Sequence, residues 1–397
     1  VETYRFACAE GLPPSKSRLA HGQGAHIGIR TENRLQNKEV KGVIMLFLTP
    51  SEAKEWQSLG RMILADKPSP SSITINGQST LQPIFHFYAG ALLASNGHVA
   101  AGKEWFTQGS MLESRTVMSN AYVSAFIDRR KGRFDLPAVV FADPRPYLHF
   151  TSTPAVKKAR ESFHRHCTLS LPEFKKPFRI MDLGCGDGGM LVQLLNSLRQ
   201  AGNIHDIDEI LLVDSSQAML ELAVKTVGLS FPGVTIRSLR KRIQDIPGSL
   251  SGHYDVALSS LAYHHMPMEI KIETLRKIKD HFNHFIIFEL DANHDTPELH
   301  TPELACSVFQ CYGTIIDFIF SHDAPVDVVL NSVDCFLLAE MISLLTQPRG
   351  IRNDYHMLRH QWHQLFSEVL GADSVCLNDS TCFENDFLGL ITVHYGK

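Results

Sequence analysis

The chain is short of charge imbalance. Its 38 Lys and Arg stand against 42 Asp and Glu, for a net −4. A balance so near neutrality excludes a general electrostatic pull toward nucleic acid or an anionic membrane, so no nucleic acid and no membrane is expected as a partner. The densest basic run, Leu239-Arg-Lys-Arg242, reads as a solvated loop face. Cysteine is also sparse, with eight residues in 397 and no Cys-x-x-Cys pair. That excludes a disulfide framework or a zinc site of recognisable spacing and leaves reduced thiols in a cytoplasmic protein as the expectation. No unbroken apolar run approaches the ~20 residues of a membrane-spanning helix. The longest, Val43-Ile-Met-Leu-Phe-Leu-Thr49, is strand-sized. There is no signal-peptide pattern, which discounts the glycosylation sequon Asn378-Asp-Ser380. The first residue is Val, so the numbering is expected to omit a start. What the chain does have is 44% hydrophobic and 20% charged residues, enough to fill a core, and a length that suggests two domains.

The densest information lies at 178–189, Phe-Arg-Ile-Met-Asp-Leu-Gly-Cys-Gly-Asp-Gly-Gly. An apolar run ends in Asp182. Gly184, Gly186, Gly188 and Gly189 follow, and then helical apolar spacing begins at Met190, Leu191, Leu194 and Leu195. This is a buried parallel strand turning sharply into a helix. The glycines permit close backbone approach to a ligand. Gly184, Gly186 and Gly189 also fit the dinucleotide fingerprint, so the loop alone does not choose a ligand. Further apolar strands follow: Ile210–Asp214, which ends in an acid, Tyr254–Ser260, Phe285–Asp291 and Phe387–Tyr395. Asp245 lies ten residues before Asp255.

In this order of strands and acids, residues 150–397 resemble a class I S-adenosylmethionine (SAM)-dependent methyltransferase. The resemblance implies an α/β, Rossmann-like sheet with a reversed last strand. It implies SAM as cofactor, held by Asp182, Gly184, Cys185, Gly186, Gly188, Asp214, Ser215, Asp245 and Ser260, with the ribose on Asp214 and adenine near Asp245. The acceptor side should lie beyond Tyr254–Ser260, where the chain reads Ser259-Ser-Leu-Ala-Tyr-His-His-Met266. Nucleobase and glutamine methyltransferases carry Asn/Asp-Pro-Pro-Tyr there, and this chain does not. Its His264-His265 pair is similar to that of small-molecule methyltransferases, and either imidazole could take a proton near neutral pH. The expected function is methyl transfer to oxygen or carbon of a small molecule, plausibly in natural-product metabolism. The alternatives are a protein methyltransferase, an NAD-dependent oxidoreductase and a non-catalytic SAM-binding regulatory protein. Oligomeric state is not legible.

Residues 1–150 read as a separate mixed, partly helical domain, with 151–397 as the catalytic one. The first contains an expected strand at 42–49 and a helix at 51–65 capped by Ser51. A Pro/Ser-rich loop with an Asn76-Gly77 turn follows. Two helices at 82–95 and 99–114 carry small residues that permit close packing, and 131–154 is read as a proline-rich connection. A helix at 154–168 leads into the first strand. Helical spacing at 301–320 and 326–346, broken at His322-Asp-Ala-Pro325, predicts an inserted lid, with a last helix at 355–369. Tyr263, His294, His322, Tyr355 and His356 are the expected acceptor contacts. His356 and His360 at i, i+4 would share a helix face near acids such as Glu289 and Asp295. Without a recognisable ligand spacing, no metal is assigned.

Overall fold

The computed structural model describes residues 46–397 apart from 74, 76–78, 115 and 138–142. The Asn76-Gly77 turn and the first half of the strand expected at 42–49 fall outside the described residues, and 46–49 are irregular. The described residues fall in one compact unit.

The first helix, α1 (Pro50–Asp66), starts one residue before the sequence reading placed it. Its cap is Thr49, not Ser51. The Thr49 hydroxyl accepts the Glu52 amide, Glu52 accepts back from the Thr49 amide, and Pro50 supplies a preset φ. Next come α2 (Gln82–Ser95), buried almost all round, and α3 (Val99–Ser110). They cross where Gly90 meets Gly102, and a Cβ on Gly102 would stand 2.6 Å from the Gly90 carbonyl. The stretch between α3 and the first strand holds α4 (Ser119–Arg129), to which the sequence reading gave no element, and α5 (Arg145–Ser152), which it read as connection, before α6 (Pro154–Ser170).

A mixed sheet follows, with β1 (Phe178–Leu183), α7 (Gly189–Ala201), β2 (Ile207–Asp214), α8 (Gln217–Ser230), β3 (Thr235–Arg240), β4 (Tyr254–Ser260), α9 (Met268–Ile278) and β5 (Phe282–Leu290). The inserted region contains α10 (Pro302–Phe320), α11 (Val326–Asn331), a π-helical stretch at 332–337 and α12 (Leu338–Thr346). The chain then forms α13 (Arg359–Leu370), β6 (Val375–Glu384) and β7 (Gly389–Gly396). Strand order is β3-β2-β1-β4-β5-β7-β6, with β7 alone antiparallel to β5 and paired to β6 by a hairpin. Central strands are buried on both faces, as a parallel sheet covered by helices requires. The basic run expected in a loop is partly strand, since Leu239 and Arg240 close β3.

Two apolar cores flank the sheet. The smaller packs α9 and α13 around Tyr263, Phe285, Trp362 and Phe366. The larger runs from α6 and α7 through α2 and α4 to α10 and α12, with Phe87 edge-on to Phe309. The helices of the first 150 residues therefore pack against the insertion. By length and hydropathy, α10 and the 326–346 segment could each cross a membrane, which the search for unbroken apolar runs did not register. Here 72% and 67% of them are buried inside the unit.

Candidate functional site

The carboxyl ends of β1 and β2 meet at the glycine loop. The amides of Gly184 and Cys185 both donate to the Val213 carbonyl, at 2.8 and 2.9 Å, and tie the loop to β2. Gly184, Gly186 and Gly188 have φ of +81°, +54° and +75°, a region that favours glycine. A Cβ on Gly184 would stand 2.2 Å from the Ala262 side chain, so the loop after β4 sits directly on the glycine loop. A Cβ on Gly186 would come within 2.9 Å of the Tyr147 hydroxyl on α5.

Asp214 accepts the Gly186 amide on one oxygen at 3.0 Å and the Ser216 amide on the other at 2.8 Å. A carboxylate offers about four acceptor positions, so room is left for a further donor. Burial raises its pKa, and those amides hold the shift back. Asp182 is 2% exposed and one of its oxygens has no hydrogen-bond partner. Burial, then the charges of Asp214 and Asp187, push it up to about 8 against the pull of Arg160. Arg160, on α6, is itself buried with an unpartnered Nε and reaches the Tyr147 hydroxyl at 3.4 Å. Sequence reading missed Arg160 and Tyr147. Both lie upstream of the motif, and only the packing of α5 and α6 brings them to the loop. Burial pushes the Cys185 thiol up, and the side chain fills space. Ser215 and Asp245 are exposed, Asp245 in an ion pair with Arg242 at 2.9 Å, and Ser260 is half-buried at the end of β4.

The second cluster lies beyond β4 and β5. His264 is 4% exposed and its Nδ1 donates to Glu289 at 2.7 Å. The other Glu289 oxygen accepts the Ala262 and Tyr263 amides at 3.2 and 3.0 Å. The ring is thus held in one orientation, with its Nε2 facing Asp354 at 3.5 Å. His265 turns its Nδ1 to the Asn353 carbonyl and to Asp354, each at 3.0 Å, while 41% of the side chain meets solvent. Burial lowers its pKa, but Asp354 more than offsets this and holds it up to about 9.

The His356 ring lies 3.9 Å from that of His264, centroid to centroid and tilted by 34°, and neither of its nitrogens has a hydrogen-bond partner. Burial, then His264, hold it well below the usual histidine range. His294 lies 5.3 Å from His356, and burial takes it down to about 3. Lys271, 0% exposed, reaches Asp295 and the Tyr355 carbonyl and underpins the segment that carries these groups.

Of the expected acceptor contacts, His294 and His356 join His264. Tyr355 supports the cluster through its amide, 2.7 Å from the His264 carbonyl, while its hydroxyl accepts the Gly350 amide. Tyr263 is buried in the smaller core, its hydroxyl on the Lys271 carbonyl. His322 stacks on His149 after α10, in different company. His356 and His360 share no helix face, because α13 begins only at Arg359 and His356 lies in the irregular stretch before it. Glu289 and Asp354 had no assigned role in the sequence reading. Glu289, the acid within the apolar strand Phe285–Asp291, was the available signal.

Residues 180–284 match the family model described as a methyltransferase domain. No curated protein matches the chain. Among solved structures, SCL7 from Oryza sativa overlays with TM-score 0.51 at 12% identity, covering 88% of this chain and all of that one, a likeness of fold. The plantazolicin methyltransferase BpumL in complex with SAH gives TM-score 0.36 at 15% identity, over 81% of this chain and 100% of that one. The magnesium protoporphyrin IX methyltransferase ChlM from Synechocystis PCC 6803 gives 0.37 at 11%, over 72% and 100%. The last two overlays are loose. With the acid-and-glycine loop at the end of β1, the reversed β7 and the family match over 180–284, the chain carries a class I SAM-dependent methyltransferase domain.

Proposed function

We propose that the chain transfers a methyl group from SAM to oxygen or carbon of a small-molecule acceptor. The observation that carries this reading is the contact of Ala262 with Gly184, which abuts the loop bearing His264 and His265 on the glycine loop. The acceptor-side groups are also enclosed. His264, Glu289, His294, Asp354 and His356 are each less than 5% exposed. An enclosed polar cluster suits a small acceptor better than a long polymer.

The residues at the glycine loop fit the cofactor. Bound SAM supplies a sulfonium methyl, so the protein's task is binding, alignment and handling of the acceptor's proton. Asp182, buried with an orphan oxygen, suits the ammonium of the methionine moiety. Arg160, with its orphan Nε, suits the carboxylate. Asp214 has lone pairs left for the ribose hydroxyls, as acids at this strand end do in related folds. On the acceptor side, Glu289 fixes the His264 ring so that Nε2 faces the buried groups. In the neutral ring, that nitrogen is where an acceptor hydroxyl or acidic carbon would be engaged as its proton leaves.

Calorimetric titration of SAM and of NAD into the full chain tests the cofactor. Incubation with SAM and extract-derived small molecules, read by S-adenosylhomocysteine release and a methyl mass shift, tests the reaction. Tight NAD binding without SAM binding would overturn the reading.

A further inference from the structure

Asp354 is 0% exposed, and neither carboxylate oxygen has a well-formed hydrogen bond, although buried carboxylates are ordinarily hydrogen-bonded. Two imidazole nitrogens stand beside it. His265 Nδ1, 3.0 Å away, directs its hydrogen bond to the Asn353 carbonyl. His264 Nε2 stands 3.5 Å away, with the Nδ1 of that ring bonded to Glu289. Two ring nitrogens and a buried carboxylate oxygen thus converge on one point inside the protein.

The spacing of the three atoms has a simple reading. Ligands about 2.1 Å from one divalent ion stand about 3.0 Å apart at octahedral angles and about 3.4 Å apart at tetrahedral ones. The contacts of Asp354 with the two rings are 3.0 and 3.5 Å, and the three ligand atoms lie within 4.8 Å of one another. The next shell has the form that metal histidines carry. The ring nitrogen of His264 that faces away donates to a buried carboxylate, which orients the ring and raises its basicity. The part-exposed His265 leaves one side of the group open to solvent, an entry path.

We propose that His264 Nε2, His265 Nδ1 and Asp354 bind one divalent first-row transition-metal ion, with Glu289 as the positioning residue behind His264. An N2O donor set of this kind suits zinc, manganese, iron(II) or cobalt(II) in preference to magnesium or calcium, which favour all-oxygen shells. On binding, the His265 proton now held by Asn353 is released to solvent and the lone pair goes to the ion. A second group, His264 with Glu289 and His356, shares the same ring and is the competing location. The proposal deepens the methyl-transfer reading and rests on it for one point only: the ion would then hold the acceptor oxygen and favour loss of its proton, in place of proton capture by His264.

The test uses the full-length chain without a polyhistidine tag. Metal content is measured after purification without chelator, and Zn2+ and Co2+ are titrated into chelator-treated protein by calorimetry and visible absorption. SAM binding is measured on the same samples. The expected result is one ion per chain, a visible Co2+ band of a nitrogen-ligated site, and affinity at least about 100-fold weaker in Asp354→Asn. Glu289→Gln should weaken it about 10- to 100-fold as an outer-shell partner. Unchanged SAM affinity in Asp354→Asn shows that this variant is folded, so loss of metal there is loss of the site. Absence of stoichiometric binding of Zn2+ and Co2+ overturns the proposal. So does binding unchanged in Asp354→Asn but lost in His356→Gln, which would place the ion at the competing group. SAM binding that fails while metal binding holds counts against the cofactor reading alone.

Discussion

The two ends of the site solve the same problem differently. At the glycine loop, Asp214 is a buried carboxylate already supplied with two backbone amides, and the loop is tied to β2 by two more hydrogen bonds. The acceptor end inverts this. Glu289 accepts three hydrogen bonds, yet the side chains of Asp354 and His356 beside it are buried without a well-formed one. A site furnished by its own backbone is rigid before its ligand arrives. A site of orphaned side chains carries a standing desolvation cost that a ligand removes. Within the cofactor end, Asp182 and Arg160 belong to the second kind.

Four variants or conditions would break or sharpen that contrast. The largest effect is expected at His264. His264→Asn should lower turnover about 10²- to 10⁴-fold while SAM affinity stays near its original value. Steady-state kinetics beside calorimetry would read this, and equal loss of both would merge the two ends into one. Asp214→Ala should weaken SAM about 10- to 150-fold, equivalent to about 1.5–3 kcal/mol, with the far-ultraviolet spectrum unchanged. An unaltered dissociation constant removes Asp214 from the cofactor site.

Asp182→Asn should separate stability from binding. Its carboxyl, pushed up to about 8 against 3.8 unfolded, is a group whose ionisation folding opposes, so its cost grows as pH rises through that window. The variant should melt higher than the parent at pH 8.5 without ligand, by about 1–3 kcal/mol in unfolding free energy, and gain less from added SAM. A lower ligand-free melting temperature would show that Asp182 stabilises the apo loop.

The smallest effect is a pH dependence that the acceptor end, through His294 and His356, shares with histidines outside both ends. Burial takes His164 down to about 4, with Arg160 adding to the shift, and takes His394 down to about 3 beside His284. Both are depressed below the unfolded value near 6.5. The unfolded chain therefore binds more protons, and stability falls as pH drops from about 6.5 toward 4. Urea midpoints should decline over that range, and His164→Asn should flatten the decline. An identical slope in the variant would place the acid sensitivity elsewhere.

The sequence disclosed the cofactor end because its parts are contiguous. Asp182 to Gly188 is a single turn, and Asp214 closes the next strand. The acceptor cluster is legible only in part. His264 and His265 follow a strand end, but Asp354 comes from an irregular stretch about 90 residues on, with no periodicity to mark it. The misread helices have local causes. Pro144 and Pro146 look like breakers, yet they sit at the start of α5, where proline is tolerated. β3 is an edge strand without a fully buried residue and lacks the apolar run that betrays β1. Ser51 is a residue type that favours caps, whereas Thr49 with Glu52 closes the actual capping box.

The position of β7 has a further consequence, for the time course of folding. All eight of its residues are buried, and they lie between β5 and β6 although about a hundred residues separate β7 from β5. Until that strand docks, β5 shows a long apolar edge with unpaired amides and carbonyls, and β6 has nothing to pair with. Closing so distant a contact is slow. A nascent or thermally opened chain would therefore spend its most exposed interval with β5 uncovered, and self-association through that edge is the route by which it would be lost.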